Sequence, residues 1–387
     1  MKRVYLDYAA TAPTDPEVIK AMEPYLFEKF GNPSSIHSFG QEAKKGMEDA
    51  REKLASFLGA KPEEIIYTCG GTESDNTAIF GVAHALEKKG NHIITSKIEH
   101  HAISEPCKFL EKKGIKVTYV GVDKNGLVSE DDVKKAITDK TILISIMYAN
   151  NEIGTIQPIA QIGKIAREKG ICFHTDAVQS VGHIPTDVNE LNVDLLSLSG
   201  HKFYGPKGVG ALYVRRATRL ERFLHGGDQE KDRRASTHNT PGIVGLGKAI
   251  ELCQKNMKQE ADLQTRLRDK IIREIPRRIP EVFLNGHPTQ RLPNNVNLSI
   301  KYIEGESILL NLDMLGIAAS TGSACTSTSL EPSHVLLAIG LSHELAHGSL
   351  RLTIGRWTKE EEIDYLIEQL PPIVEKLRAM SPLYDKK

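Results

Sequence analysis

No stretch of this 387-residue chain stays apolar for long enough to span a bilayer. A surplus of either charge is also missing, since Lys plus Arg and Asp plus Glu both number 50. Nucleic acid and anionic membrane surfaces call for a basic excess, so neither is expected as the main partner. Four arginines that lie close together, Arg215, Arg216, Arg219 and Arg222, read as a solvated helix face. The N-terminus reaches Asp7 too soon for a signal peptide, which makes the cytoplasm the expected location. Cysteine is scarce. The five (Cys69, Cys107, Cys172, Cys253 and Cys325) include no CxxC pair, which argues against a disulfide framework or a structural zinc site. Low-complexity linkers and internal repeats are absent as well.

What is present is an ordinary globular composition, 40% hydrophobic and 26% charged, at a length that suits two or three structural units. Short β-rich runs at 92–95, 116–120, 141–146, 171–174 and 193–197 alternate with amphipathic stretches such as 73–89, 102–113 and 159–169. That alternation predicts a mostly parallel sheet with helices on both faces, and the doubly apolar strands predict burial on both sides. A long helical pattern follows from about 242 to 273. Beyond it, 294–300, 306–315, 350–354 and 359–380 read as a smaller α+β unit. The expected division is a large α/β domain over 15–255 and a small α+β domain formed by 256–387 together with 1–14.

Four segments fall at predicted strand-to-helix junctions of the one sheet. Ser197-Leu198-Ser199-Gly200-His201-Lys202 would hold a lysine at the sheet rim, with Ser199 and His201 placed to donate to a phosphate. His174-Thr175-Asp176-Ala177-Val178-Gln179 puts a carboxylate deep at a strand end, where it needs a cationic partner. Gln179 lies three residues on, on the same face of a helical turn. Cys69-Gly70-Gly71-Thr72-Glu73 is a glycine-rich turn opening a helix, an anion site to which the Thr72 hydroxyl adds a donor. His100, in Glu99-His100-His101, could lie flat on a ring. Taken singly, each has a plain alternative: a solvated lysine, a capping aspartate, a helix cap, a structural histidine. Together they supply what pyridoxal phosphate needs: a lysine for its aldehyde, an acid for its ring nitrogen, a phosphate cup and a group on the ring face.

Two motifs mislead. His343-Glu344-Leu345-Ala346-His347 matches the zinc-protease pattern, but that pattern needs an uninterrupted helix, and Gly348 should end this one at once. Gly200 to Lys207 resembles a nucleotide loop, yet Pro206 replaces its lysine and no Ser or Thr follows. Cys325 is of another kind. It sits among small polar residues, Ser320-Thr321-Gly322-Ser323-Ala324-Cys325-Thr326-Ser327, in a loop expected to be exposed, where a thiol is a hazard unless reactivity is its purpose. The other four cysteines, beside apolar residues or in helical stretches, read as structural.

These segments resemble the cysteine desulfurases of the NifS/IscS type, class V of the fold-type I pyridoxal-phosphate enzymes. The likeness runs almost end to end, through Tyr5-Leu6-Asp7-Tyr8-Ala9-Ala10-Thr11, Phe30-Gly31-Asn32-Pro33-Ser34-Ser35, Gly71-Thr72-Glu73-Ser74-Asp75-Asn76, Asn150-Asn151-Glu152, Gly200-His201-Lys202, Gly322-Ser323-Ala324-Cys325-Thr326-Ser327 and Leu330-Glu331-Pro332-Ser333-His334. The resemblance implies that Lys202 carries the cofactor as a Schiff base, with His100 stacked on its ring and Asp176 on the ring nitrogen. Gln179 and Asn151 would contact the hydroxyl side of the ring, and Gly71, Thr72, Ser199 and His201 would hold the phosphate. Thr237 would reach the phosphate of a partner subunit, making the enzyme a homodimer. Arg351 and Asn32 would bind the carboxylate of L-cysteine. Cys325 would take the substrate sulfur as a persulfide and pass it to an iron–sulfur scaffold protein, sharing a transient iron–sulfur ligand role there. Two departures stand out: His101 occupies a position where lysine or proline is common, and Ser236-Thr237-His238-Asn239 replaces the usual Gly-Thr. Rival readings are a selenocysteine lyase or aminotransferase of the same fold, and a non-enzymatic docking platform for a scaffold.

Overall fold

A computed structural model of the chain describes residues 3–321 and 331–384. Its centre is a seven-stranded sheet in the order Ile65–Thr68, Gly210–Val214, Leu195–Ser199, Cys172–Asp176, Thr141–Ser145, His92–Ser96, Lys116–Val120. Gly210–Val214 runs antiparallel to both of its neighbours, and every other pairing is parallel. The five strands read from the sequence are all present. The two at the mixed edge, Ile65–Thr68 and Gly210–Val214, are additional.

Period-2 alternation sorts the strand side chains into two cores. On one face Ile94, Ile144 and Phe173 pack with Leu54, Ile162 and Leu246, which come from helices Ser38–Leu58, Ile159–Glu168 and Thr240–Arg278. On the other, Ile93, Leu143 and Leu195 pack with Ile79 and Ile103 of helices Gly71–Ala85 and His101–Glu111. A sheet buried this way is hydrophobic on both sides, which is why its strands lack polar alternation.

A third core belongs to an antiparallel sheet of Ser349–Thr353, Asn295–Ile300 and Val282–Leu284, covered by helices Gly305–Met314 and Glu360–Met380. Val4 and Leu6 are buried in that core, because Val4–Tyr5 pairs in parallel with Ile317–Ala318. Helix Thr240–Arg278 joins the regions. Ile243 and Leu246 near its start lie in the first core, and Leu267 and Ile271 further along lie in the third. At 39 residues it is about 58 Å long at 1.5 Å per residue.

Two expectations change here. The arginines from 215 to 222 do not form a helix face, since the chain there is irregular and turns at Ala217 with φ of +73°. Arg215 is instead pinned, donating to the carbonyls of Val193 and Val188. Cys69 is exposed rather than packed, because it sits at the turn where Ile65–Thr68 leaves the sheet. The segment His343–His347 is a five-residue helix followed directly by strand Ser349–Thr353. Among the described residues no helix is long and apolar enough to cross a membrane.

Candidate active site

The C-terminal ends of the parallel strands open onto a cavity of about 360 Å³. Gly71, Thr72, His100, Asn151, Asp176, Gln179, Ser199, His201, Lys202 and Arg351 all line it. Segments spread over 280 positions of sequence therefore meet in one place, a span given by residues 71 and 351. Thr237 and Asn32 are not in it. Both are exposed, and the Asn32 side chain accepts a hydrogen bond from the Ser34 N–H at 3.0 Å. Cys325 lies outside the described residues.

Asp176 is the last residue of its strand and is 5% exposed. Its Oδ1 accepts from the Val178 N–H at 2.9 Å. Burial lifts the carboxyl to about 6, against the opposing pull of that hydrogen bond and of Lys202. Beneath it, Asp75 is pushed well above the usual carboxylate range by burial and by the charge of Asp176. Asp75 Oδ1 has no hydrogen-bond partner among the described residues and lies 3.6 Å from His174 Nε2. His174 itself is fully buried between the hydroxyls of Ser145 and Ser197, at 2.9 and 3.0 Å, and burial drives it down to about 3. The floor is thus a neutral imidazole beside two buried carboxyls, of which Asp176 feels the charge of Lys202, and such a pair suits a bound cation.

Lys202 ends the one-turn helix Gly200–Lys202 after strand Leu195–Ser199. Its ammonium donates to the carbonyls of Ala9 and Ala10 at 2.6 and 2.8 Å, and its own carbonyl accepts from His183 Nε2 at 3.2 Å. Ala9 also takes the Gln179 amide at 3.0 Å. His100 caps helix His101–Glu111, Nδ1 accepting from the Ala102 N–H at 3.1 Å, which leaves the ring proton on Nε2. Burial and the nearby Lys202 hold it down to about 4, so the ring is neutral at pH 7. His201 is likewise lowered to about 4 by burial and Lys202, with Nδ1 3.1 Å from the Thr11 hydroxyl.

Helix Gly71–Ala85 begins at the cavity, so its first N–H groups supply the positive end of the helix dipole there. The approach is tight: a Cβ at Gly71 would come 2.6 Å from Val178 Cγ2. Opposite, Arg351 donates to Asp7 Oδ1 at 3.0 Å and to the Asn151 carbonyl at 3.1 Å, while its buried Nε has no partner among the described residues. An orphaned guanidinium N–H beside the cavity suits a carboxylate ligand. The residues present therefore fit a flat cationic ring with a phosphate at one end: an acid for the ring, a helix N-terminus for the phosphate, a lysine between them. Asp7, Asp75, Ala9, Ala10 and Met147 were not singled out from sequence. Asp7, Ala9, Ala10 and Asp75 lie inside segments that carry the resemblance, but nothing local to those segments says what each of them contacts.

A large sheet with helices on both faces, a cavity at its strand ends and a rim lysine opposite a buried aspartate define the fold-type I architecture of pyridoxal-phosphate enzymes. The pattern of the family described as Aminotransferase class-V matches residues 4–366, and the chain belongs to that family, whose cofactor is pyridoxal phosphate. Similar proteins include "Cysteine desulfurase IscS" of Dictyoglomus turgidum, 61% identical over 383 residues that cover 99% of this chain and 97% of that one. The protein of the same name from Methanosarcina thermophila is 58% identical, covering 100% of this chain and 95% of its own. Among solved structures, a "NIFS-LIKE PROTEIN" superimposes with a TM-score of 0.92 at 39% identity, over 97% of this chain and 100% of that one. "SspA in complex with cysteine" does so at 0.82 and 40%, over 92% and 100%.

Proposed function

We propose that this protein is a cysteine desulfurase, taking sulfur from L-cysteine to leave alanine and a persulfide on Cys325. The observation that carries the reading is the convergence of Lys202, Asp176, His100 and Arg351 on one cavity. Bound pyridoxal phosphate supplies an electron sink for the negative charge left at the substrate Cα. Asp176 would hold the ring nitrogen charged, and the first turn of Gly71–Ala85, with Thr72, Ser199 and His201, would hold the phosphate. Gln179 and Asn151 would contact the hydroxyl side of the ring, and neutral His100 would cover its face. Arg351, fixed by Asp7, meets the substrate carboxylate through its unpaired Nε. Lys202 takes the α-proton. The Cys325 thiolate then attacks the substrate sulfur; the S–S bond forms as the C–S bond breaks, and the carbon skeleton leaves as alanine after protonation.

Exposed Thr237 is assigned to the phosphate of a second copy, and the contact of Asn32 with the substrate carboxylate also needs that copy. Phe27 at 85% exposure, Phe30 at 66% and Ile36 at 95% are large apolar side chains left open near Asn32 in the sequence, which supports a homodimer. Delivery of the persulfide to an iron–sulfur scaffold, with Cys325 as a shared ligand, and a cytoplasmic location complete the reading. So does the division of the chain into 15–255 and 1–14 with 256–387, supported by the burial of Val4 and Leu6 in the C-terminal core.

The test is incubation with L-cysteine and a reductant, with alanine and sulfide measured together. The parental protein should release both in equal amounts. Cys325→Ser should still bind cofactor and substrate but release almost no alanine. No alanine from the parental protein overturns the activity, and parental turnover by Cys325→Ser overturns the nucleophile.

A further inference from the structure

The loop 226–239, which carries Thr237, has an unusual backbone. Glu230, Lys231 and Asp232 lie in succession at φ of +50°, +56° and +64°, and Ser236 at +103°. None is glycine, so each is strained, and such strain persists only where the surroundings impose it.

The source of the constraint is Glu230. Its side chain, 2% exposed, accepts from Arg51 through both oxygens, at 2.8 and 2.9 Å. It also accepts the Tyr67 N–H at 2.9 Å and faces His238 Nε2 at 2.8 Å. Arg51 in turn donates to the Ile65 carbonyl at 2.7 Å and stacks on the Tyr67 ring at 4.4 Å. Ile65 and Tyr67 belong to the edge strand that runs into the Gly70-Gly71-Thr72 turn. A second tie lies further along the loop, where Arg234 donates to Glu73 at 2.7 and 3.1 Å, one residue past Thr72. Arg234 and His238 thus clamp the chain on either side of Thr237, whose own side chain is exposed.

We propose that Glu230 is a positioning residue for the neighbouring subunit's site: its buried pairing with Arg51 and His238 enforces the left-handed turn that sets the outward-facing Thr237 for the cofactor phosphate of a second copy. This rests on the reading of Thr237 as a phosphate donor across the dimer. Glu230 touches neither substrate nor cofactor in its own chain. It acts through the loop, and its effect is therefore felt in the other subunit.

Mixed dimers of two differently tagged chains test this. In each, one chain carries Lys202→Ala, so that covalent cofactor retention reports a single site. With Glu230→Gln on the Lys202→Ala chain, the surviving site faces the altered loop, and cofactor should leave roughly tenfold faster or more, the scale of one hydrogen bond to a charged group. With Glu230→Gln on the chain that keeps Lys202, release should match the parental rate. Equal release in the two arrangements, or faster release in the second, overturns the proposal. Thr237→Ala in the same two arrangements separates the premises. If it has no effect across the dimer, the reading of Thr237 fails and the proposal with it. If it acts and Glu230→Gln does not, only the role of Glu230 fails. Should Glu230→Gln not assemble, Arg51→Lys, which keeps the charge but loses the two-pronged grip, should give the same asymmetry at smaller size.

Discussion

The rim of the central sheet and the loop 226–239 both hold residues assigned to cofactor binding, but by opposite means. At the rim, Asp176 and Ser199 end paired strands whose hydrogen-bonded ladder fixes their positions, and Lys202 follows in the single helical turn after Ser199. In the loop there is no ladder. Backbone that would not adopt its shape unaided is held by ion pairs, among them Arg51–Glu230, Arg234–Glu73 and Arg222–Asp232. A strand end can fix a side chain within its own subunit, where the sheet extends. A group that must reach outward needs another device, and buried salt links to the sheet edge supply one. A buried carboxylate stripped of its partner is costly, so that device fails sharply when one member is removed.

The largest effect expected from either region is at the rim. Asp176→Asn removes the charge proposed to hold the ring nitrogen, and turnover of L-cysteine should fall by roughly a hundredfold or more. Because burial raises this carboxyl, the same change should leave the melting temperature of the cofactor-free protein unchanged or higher. Retained turnover in that variant would break the view of the rim as the chemical half of the comparison. Arg351→Lys is next. It keeps the charge but cannot serve Asp7, Asn151 and a substrate carboxylate at once, so KM for L-cysteine should rise about ten- to a hundredfold, with a smaller change in kcat. A drop in kcat at constant KM would move Arg351 out of substrate binding.

Glu99 offers a pH test of the same rigid scaffold. Its carboxylate is buried, accepts the Met147 N–H at 3.1 Å, and is pushed by burial up to about 8. A folded-state value above the ordinary 4.5 means its stabilising contribution is full below about 4.5 and fades as pH rises towards 8. Glu99→Gln should therefore flatten the fall in stability across that window in denaturant titrations, and an unchanged slope would assign the pH dependence elsewhere. The smallest effect is expected at the misleading motif. His343→Ala with His347→Ala should alter turnover by less than about twofold and melting little, as suits exposed substitutions remote from the cavity.

How far each region was legible follows from the same contrast. Asp176, Lys202, Gly71 and His100 sit at junctions between period-2 and helical patterns, and that change of period is visible in sequence. The parallel strands were legible for the same reason. Ile65–Thr68 was not, because its four residues form an edge strand paired only with Gly210–Val214. The link from Asp7 to Arg351 joins residues 344 apart, and no local pattern foretells it. Glu230, Lys231 and Asp232 carry no sequence signal of a left-handed backbone. Their left-handed geometry comes from Arg51, which lies on a helix 179 positions earlier. Cys69 looked packed because its neighbours in sequence are apolar or small, but the direction of a side chain at a turn is set by the turn.

The carbonyls of Ala9 and Ala10 that hold Lys202 belong to a segment seated against Ser349–Thr353: the Ala9 N–H donates to the Thr353 hydroxyl, and the Thr353 N–H to the Leu6 carbonyl. One wall of the cavity is therefore assembled from stretches that the ribosome makes far apart in time. While residues up to about 340 are emerging, the Gly71 turn and the rim lysine can already be in place, but the strand whose Thr353 hydroxyl holds the Ala9 N–H has yet to be made. A nascent chain in that condition has an open cavity that lacks its Arg351 wall. On the proposed role of Arg351, chains broken off before residue 349 should not turn over L-cysteine.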